Sequence, residues 1–176
     1  EYLGGGVAPT EGRHVFAMIQ SLQRGKIKGI DPRQYDIVIV DAFAGARVPA
    51  DLTTAEWYEE VARVLTPEGV IVANITDMVP FAYAKRIVAG IADRFLPVVF
   101  ALEPSTLKGH RFGNVVVAGG RHIDHAKLTR LAARGPFPYR VLGGLQLASW
   151  VGHHKAFTDD DSMQSPAPLG GPATFR

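Results

Sequence analysis

Three carboxylates stand where short apolar runs end. Asp41 follows Tyr35-Asp36-Ile37-Val38-Ile39-Val40, Asp77 comes just after Val70 to Ile75, and Glu103 follows Val98 to Leu102. In an open α/β sheet, ligands collect beyond the carboxyl ends of parallel strands, so acids at those ends are candidates for ligand contact. Side by side they would line one crevice that attracts a cation and offers a general base. Plainer roles exist for two of them. Asp77 stands a few residues before a helix and can cap it; Glu103, before Pro104, reads equally as an exposed loop residue. Asp41 is followed by Ala42-Phe43-Ala44-Gly45-Ala46, which offers no helix to cap and no local partner. It is therefore the leading candidate.

The elements that must position these acids follow from hydrophobic pattern. The β-branched run from Tyr35 to Asp41 reads as a strand buried on both faces, as in a parallel sheet. Thr53-Thr54-Ala55-Glu56 fits a capping box with Thr53 as the cap, opening a helix that buries Trp57, Val61, Val64 and Leu65. Thr66-Pro67-Glu68-Gly69 ends that helix, and Val70 to Ile75 is a second strand. A second helix runs from about Phe81 to Phe95, with Pro80 suited to its first turn. Val98 to Leu102 is a third strand and Phe112 to Ala118 a fourth; the short loop between them allows antiparallel pairing. Asp124 caps a third helix that turns Leu128 and Leu131 inward and ends at Gly135. A short helix spans Leu145 to Val151. Upstream, Val15, Phe16, Ile19 and Leu22 have roughly helical spacing after a glycine-rich start.

Strand, helix, strand, helix, strand and a returning strand imply right-handed crossovers. The expected fold is α/β and Rossmann-like, of the methyltransferase type: a mostly parallel sheet with an antiparallel terminal strand. Four strands are legible where the full architecture has about seven, so the amino-terminal half is expected to be missing or truncated. Residues 1–161 are read as one partial catalytic domain. Residues 162–176, rich in Pro and Gly, are read as a flexible tail.

Composition removes several function classes. The chain has 176 residues, 47% hydrophobic and 20% charged, an ordinary globular balance. It contains no cysteine, which excludes disulfides, cysteine zinc sites and a thiol nucleophile. Nineteen basic residues against seventeen acidic ones leave a net charge of +2, far from a nucleic-acid-binding field. No apolar run is long enough to span a membrane, and the first residues lack a secretory pattern, so a soluble cytoplasmic protein is expected. His110, His122, His125 and the pair His153-His154 lack the spacing of a helical metal pair, and no metal is expected. Asp159-Asp160-Asp161 reads as a solvated turn, and Lys26, Lys28 and Arg33 as a solvated loop.

Longer motifs then carry a resemblance. Tyr35 to Asp41, Val48-Pro49-Ala50-Asp51-Leu52, the Trp57-Tyr58 helix and Leu65-Thr66-Pro67-Glu68-Gly69 together resemble the spermidine synthase (polyamine aminopropyltransferase) family. Glu103-Pro104-Ser105 and Phe112-Gly113-Asn114 are similar to that family's Y-P-S-G-x-x-G-F segment, and the chain after Gly135 resembles a bacterial spermidine-synthase-like group. The resemblance implies transfer of the aminopropyl group of decarboxylated S-adenosylmethionine to a diamine such as putrescine. It implies Asp41 as the catalytic base, and Asn74 at the end of the second strand as a residue facing substrate. Pro49 and Ala50 match the segment lining the adenine and thioether pocket, and Glu11-Gly12 stand where the family has Asp-Gly before a helix. Glu103 and Asp77 complete the candidate substrate-binding set.

Departures from the family pattern are specific. The second acid of the family's D-S-S-D run is Ala44 here, and the tyrosine before Pro-Ser is Glu103. The glycine-rich cofactor motif has no clear counterpart, since Gly4-Gly5-Gly6 follows no strand-length apolar run. Two alternatives therefore stand beside aminopropyl transfer: a methyltransferase-type enzyme with another acceptor, and a noncatalytic homologue that binds a ligand or partner. A partial sheet is also expected to expose an edge and apolar surface, which predicts self-association as a homo-oligomer or a missing partner segment.

Overall fold

The computed structural model describes residues 2–3, 16–17, 27–136 and 138–168. The expected helix around Val15 to Leu22 falls largely outside these residues; Phe16–Ala17 pairs in parallel with Tyr2–Leu3. From Tyr35 onward the order is β1 (Tyr35–Val40), α1 (Ala55–Val64), β2 (Leu65–Asp77), α2 (Ala82–Ala92) and β3 (Val98–Leu102). A short α3 (Pro104–Leu107), β4 (Gly113–Gly119), α4 (His125–Arg134), β5 (Arg140–Gly143) and α5 (Gly144–Val151) complete it.

The five strands form one sheet in the order β1-β2-β4-β3-β5. β1 pairs in parallel with β2, Val40 opposite Ala73; the other three ladders are antiparallel. The α/β class stands, and β1, β2 and β3 all point the same way, as crossovers through α1 and α2 require. The mostly parallel sheet expected from sequence is corrected in one respect. The returning strand β4 is not terminal but slots between β2 and β3, replacing one would-be parallel ladder by two antiparallel ones. β5 was not legible, being four residues long and preceded by Pro136 and Pro138.

The helix face of the sheet holds the core. Ile71, Ala73 and Ile75 of β2 and Val115 and Val117 of β4 are buried with Val61 and Val64 of α1 and Ile87, Val88 and Ile91 of α2. Close approach of α1 and α2 depends on Gly90: a β-carbon there would lie 2.8 Å from the Tyr58 ring. Phe100 of β3 stacks on Trp150 of α5 at 4.4 Å between centroids, with Phe81 against both. Truncating a buried aromatic of this kind costs about 3–5 kcal/mol.

Local chemistry sets the helix ends. The cap of α1 is Thr54, one residue later than expected, its hydroxyl accepting from Trp57 N at 3.2 Å. Thr53 instead donates to the Ala50 carbonyl at 2.8 Å. Glu56 does not reach back either, because it accepts the Asp159 N–H at 3.1 Å. Asp124 caps α4 as expected, accepting from Lys127 N at 2.9 Å. That helix buries no residue, and Leu131 is 57% exposed, so its expected inner face is unpartnered among the described residues.

Two further expectations change. The tail read as flexible from Ser162 is described as far as Pro168, and both Pro168 and Ser165 are buried. The β1 run, expected to be buried on both faces, is covered on one only. Ile37 and Ile39 lie 58% and 70% exposed. Pairing register puts them on the same face as Val70, Val72 and Asn74 of β2 and Val116 and Ala118 of β4. β1 is also an edge strand of this sheet. No helix among the described residues is long and apolar enough to cross a membrane.

Among the described residues β1 has no outer neighbour in the sheet, and an apolar face beside such an edge favours association. Light scattering on the 176-residue chain is expected to give a mass above the monomer, and Ile39→Lys to shift it toward the monomer. A monodisperse monomer for the unaltered chain would contradict this.

Candidate functional site

The site is built at the carboxyl end of the parallel β1–β2 pair. Register carries Val40 opposite Ala73, so the next residue of each strand, Asp41 and Asn74, meet on the open face of the sheet. The Asn74 amide donates to Asp41 Oδ1 at 2.9 Å. This bond fixes the carboxylate's direction and also the orientation of the amide, since the reverse orientation would set a carbonyl against a carboxylate. Two acceptors are left over. Asp41 Oδ2 has no partner among the described residues, and Asn74 Oδ1 is buried with none. A buried acceptor without a donor is costly, typically about 1–3 kcal/mol, and an N–H donor from a ligand would satisfy it.

Chain geometry after Asp41 is set by a tight turn. Ala44 and Arg47 exchange backbone hydrogen bonds at 2.8 and 3.2 Å around Gly45 and Ala46, whose φ values are 59° and 63°. Left-handed backbone at both central positions is the I′ hairpin geometry, which glycine meets without strain. The turn delivers Val48, which is buried, and then Pro49 and the 3₁₀ turn Ala50–Leu52. Pro49 and Ala50 thus follow Asp41 on one continuous loop.

Asp77 does different work. It is 2% exposed, and its two oxygens accept the backbone N–H groups of Met78 and Ala84, each at 2.8 Å. The N-cap of α2 is Phe81, with φ 61° and no side-chain hydrogen bond, so Asp77 satisfies the helix terminus from four residues upstream. Burial raises its pKa, opposed by the two backbone hydrogen bonds and by Lys85. Both carboxylate oxygens are consumed by the cap.

Glu103 stands at the carboxyl end of β3 on the same sheet edge, yet apart from Asp41. The inserted β4 places three strand spacings between β1 and β3, roughly 14 Å across the sheet. Its carboxylate meets Arg111 and the Ser105 hydroxyl, each at 3.3 Å. The single crevice of three acids is therefore corrected: Asp41 is joined by Asn74, Asp77 caps a helix, and Glu103 forms its own ion pair. Glu11 and Gly12 lie outside the described residues, as do Gly4-Gly5-Gly6. Among the described residues no group of three or more His, Asp or Glu could hold a metal ion. A cavity of ≈ 990 Å³ opens at the opposite edge, near Arg33, Arg63, Arg94 and Arg121, and none of the described candidate residues lines it.

Residues not singled out from sequence also shape the site. Ser165, more than a hundred positions downstream, accepts from Val48 N at 2.9 Å, and its hydroxyl lies 3.3 Å from that of Thr76. No local pattern signals such a contact, because one residue of an irregular segment makes it.

No family model matches the chain. Along 49 residues it is 39% identical to a polyamine aminopropyltransferase of Vibrio vulnificus, 28% of this chain and 16% of that protein. A crystal structure of a probable spermidine synthase from Corynebacterium glutamicum superposes with a TM-score of 0.70 at 27% identity, covering 82% of this chain. The chain spans 54% of that protein's length, about half. A spermidine synthase of Thermotoga maritima is more distant, with a TM-score of 0.49 and 15% identity over 84% of this chain.

The burial of Asp77 has a pH signature. A folded-state pKa above the unfolded value means the native state binds the proton more tightly, so the contribution of Asp77 to stability is greatest below about pH 4 and falls as pH rises through the raised pKa. Asp77→Ala should lower stability by about 1–3 kcal/mol, because the Met78 and Ala84 N–H groups lose their acceptor. The wild-type advantage measured by urea unfolding should shrink as pH rises above about 4. A constant or growing advantage would contradict a pKa raised by burial.

Proposed function

Because the chain is related in sequence and fold to the spermidine synthases, we propose that it is part of a polyamine aminopropyltransferase and carries that enzyme's general base, Asp41. The observation that supports this most directly is the Asp41–Asn74 pair, which aims a carboxylate with one free oxygen beside a buried, unsatisfied amide carbonyl.

The chemistry asked of that pair is simple. An alkylamine titrates near ~10, like a lysine side chain, and is a protonated, non-nucleophilic ammonium at neutral pH. Asp41 Oδ2 and Asn74 Oδ1 together accept two N–H bonds from such an ammonium, which holds it by charge and direction. Asp41 then takes one proton. The freed nitrogen lone pair attacks the methylene carbon next to the sulfonium of decarboxylated S-adenosylmethionine. A C–N bond forms as the C–S bond breaks, and the bond pair goes to sulfur, which leaves as neutral methylthioadenosine. Asp41 passes its proton to solvent and is regenerated. Pro49 and Ala50, carried on the same loop as Asp41, are assigned to the nucleoside side. Neither a metal nor a redox group enters this scheme.

A second reading draws on Glu103. Its ion pair with Arg111 and its lateral distance from Asp41 mean that it does not replace the charge lost where the family's second acid is Ala44. A site with one uncompensated carboxylate suits an acceptor with a single cationic centre, or a methyltransferase-type reaction with another acceptor. Comparing S-adenosylmethionine with its decarboxylated form separates the two, since only the former brings a carboxylate.

Turnover with putrescine and decarboxylated S-adenosylmethionine should be detectable as methylthioadenosine release. Asp41→Asn should lower kcat at least about 100-fold with the circular dichroism spectrum unchanged. Asn74→Ala should raise the KM for the amine by about tenfold, the cost of one charge-assisted hydrogen bond. An unaltered rate in Asp41→Asn removes this mechanism. Saturable binding of methylthioadenosine without turnover would favour a noncatalytic ligand-binding homologue.

A further inference from the structure

The segment after α5 makes its polar contacts at two separate places. The first anchor lies on the helices. Phe157 is 1% exposed, and its ring packs 5.4 Å from that of Tyr83 and beneath the Arg86 guanidinium, 3.8 Å away. The Phe157 carbonyl accepts the Ala55 N–H at 2.7 Å, at the first turn of α1. Arg86 reaches across from α2, donating to the carbonyls of Lys155 and Ala156 and pairing with Asp161. Asp161 closes its own turn by accepting from Thr158 N at 2.7 Å, and these bonds pull its pKa down to about 2. The run of three aspartates is thus a built turn tied to α2 at Asp161.

The second anchor is at the candidate site. Ser165 exchanges two hydrogen bonds with Val48: its N–H donates to the Val48 carbonyl at 3.2 Å, and its hydroxyl accepts the Val48 N–H at 2.9 Å. Arg47 Nε donates to the Ser165 carbonyl at 2.6 Å. The hydroxyl also meets Thr76 on β2, two residues past Asn74. One fully buried side chain therefore ties the loop that follows Asp41 to the strand that carries Asn74. Without it, the Val48 N–H is a buried donor with no acceptor, and the loop between Asp41 and Ala50 keeps its own turn and the main-chain contacts of Ser165.

We propose that residues 156–168 form a strap and that Ser165 is a positioning residue, setting where Val48, Pro49 and Ala50 stand relative to the Asp41–Asn74 pair. The functional half of this rests on the assignment of Pro49 and Ala50 to the nucleoside side of the site. The two anchors lie at Phe157 to Asp161 and at Ser165, so the strap is fixed to the helices at one end and to the loop at the other. Its arrival beside Thr76 fixes the spacing between the loop after Asp41 and β2, a task neither can do for itself.

Hydrogen exchange and ligand titration on the 176-residue chain test this together. Ser165→Ala should speed amide exchange at Arg47, Val48 and Ala50 by about tenfold, the cost of one buried N–H left without an acceptor. Exchange in Val115 to Val117 of β4 should not change. The same variant should weaken methylthioadenosine binding several-fold. Arg47→Ala, which removes one contact to the strap from a less buried position, should act in the same direction with smaller size, and it serves if Ser165→Ala does not fold. Unchanged exchange at Val48 and Ala50 in the variants overturns the strap. Faster exchange with unchanged affinity overturns its role in positioning. If the unaltered chain binds no methylthioadenosine, the nucleoside assignment fails while the exchange result still decides the strap.

Discussion

The parallel pairing of β1 with β2 is the constraint on which the rest of the molecule depends. Two β-branched runs, Tyr35–Val40 and Val70–Ile75, lie in register so that Val40 and Ala73 share a rung and Asp41 and Asn74 follow on the next. A slip of one residue would turn Asn74 to the helix face and leave Asp41 alone. Helical packing enforces the register. Ile71, Ala73 and Ile75 have to face α1 and α2 to be buried, and that places Val70, Val72 and Asn74 on the other side. The polar pair is thus a by-product of hydrophobic alternation.

Insertion of β4 between β2 and β3 is the second decisive event. It joins the strands by seven paired residues on one side and five on the other, which makes β4 the centre of the sheet. The same insertion spreads the strand-end acids apart. Glu103, which sequence order alone would set near Asp41, is carried one strand farther away and compensated by Arg111. The carboxyl edge therefore holds one exposed acid with an amide partner rather than an acidic cluster. A single carboxylate pulls on a bound ammonium about half as strongly as a pair of acids would, since Coulomb attraction scales with the charge at the site.

Among the described residues, one face of this sheet is dressed by helices and the other is not. Ile37 and Ile39 are too apolar to be at ease in water, and burying each fully would contribute about 1.5–3 kcal/mol. The Asp41–Asn74 pair sits at the margin of that face, so whatever packs there also changes the dielectric around it. The carboxyl-terminal strap reaches the site along a different path, from the helix side, and meets the loop after Asp41 at Val48.

Much was legible from local pattern: β1 and β3 nearly to the residue, α1 and α2 from their apolar spacing, the Asp124 cap, and Asp41 as an acid without a local duty. These follow because burial periodicity and capping are short-range and leave marks within a few residues. What the tertiary structure alone decided is long-range pairing. Nothing in Gly113–Gly119 says that it enters the middle of the sheet, and nothing near Ser165 announces Val48. For Asp77 the position before a helix allowed both a cap and a ligand contact, and the bonds to Met78 and Ala84 select the cap. Sequence alone determined which residues could do chemistry, because side-chain type is written there. The fold decided which of them meet, because distance across a sheet depends on strand order and not on position along the chain.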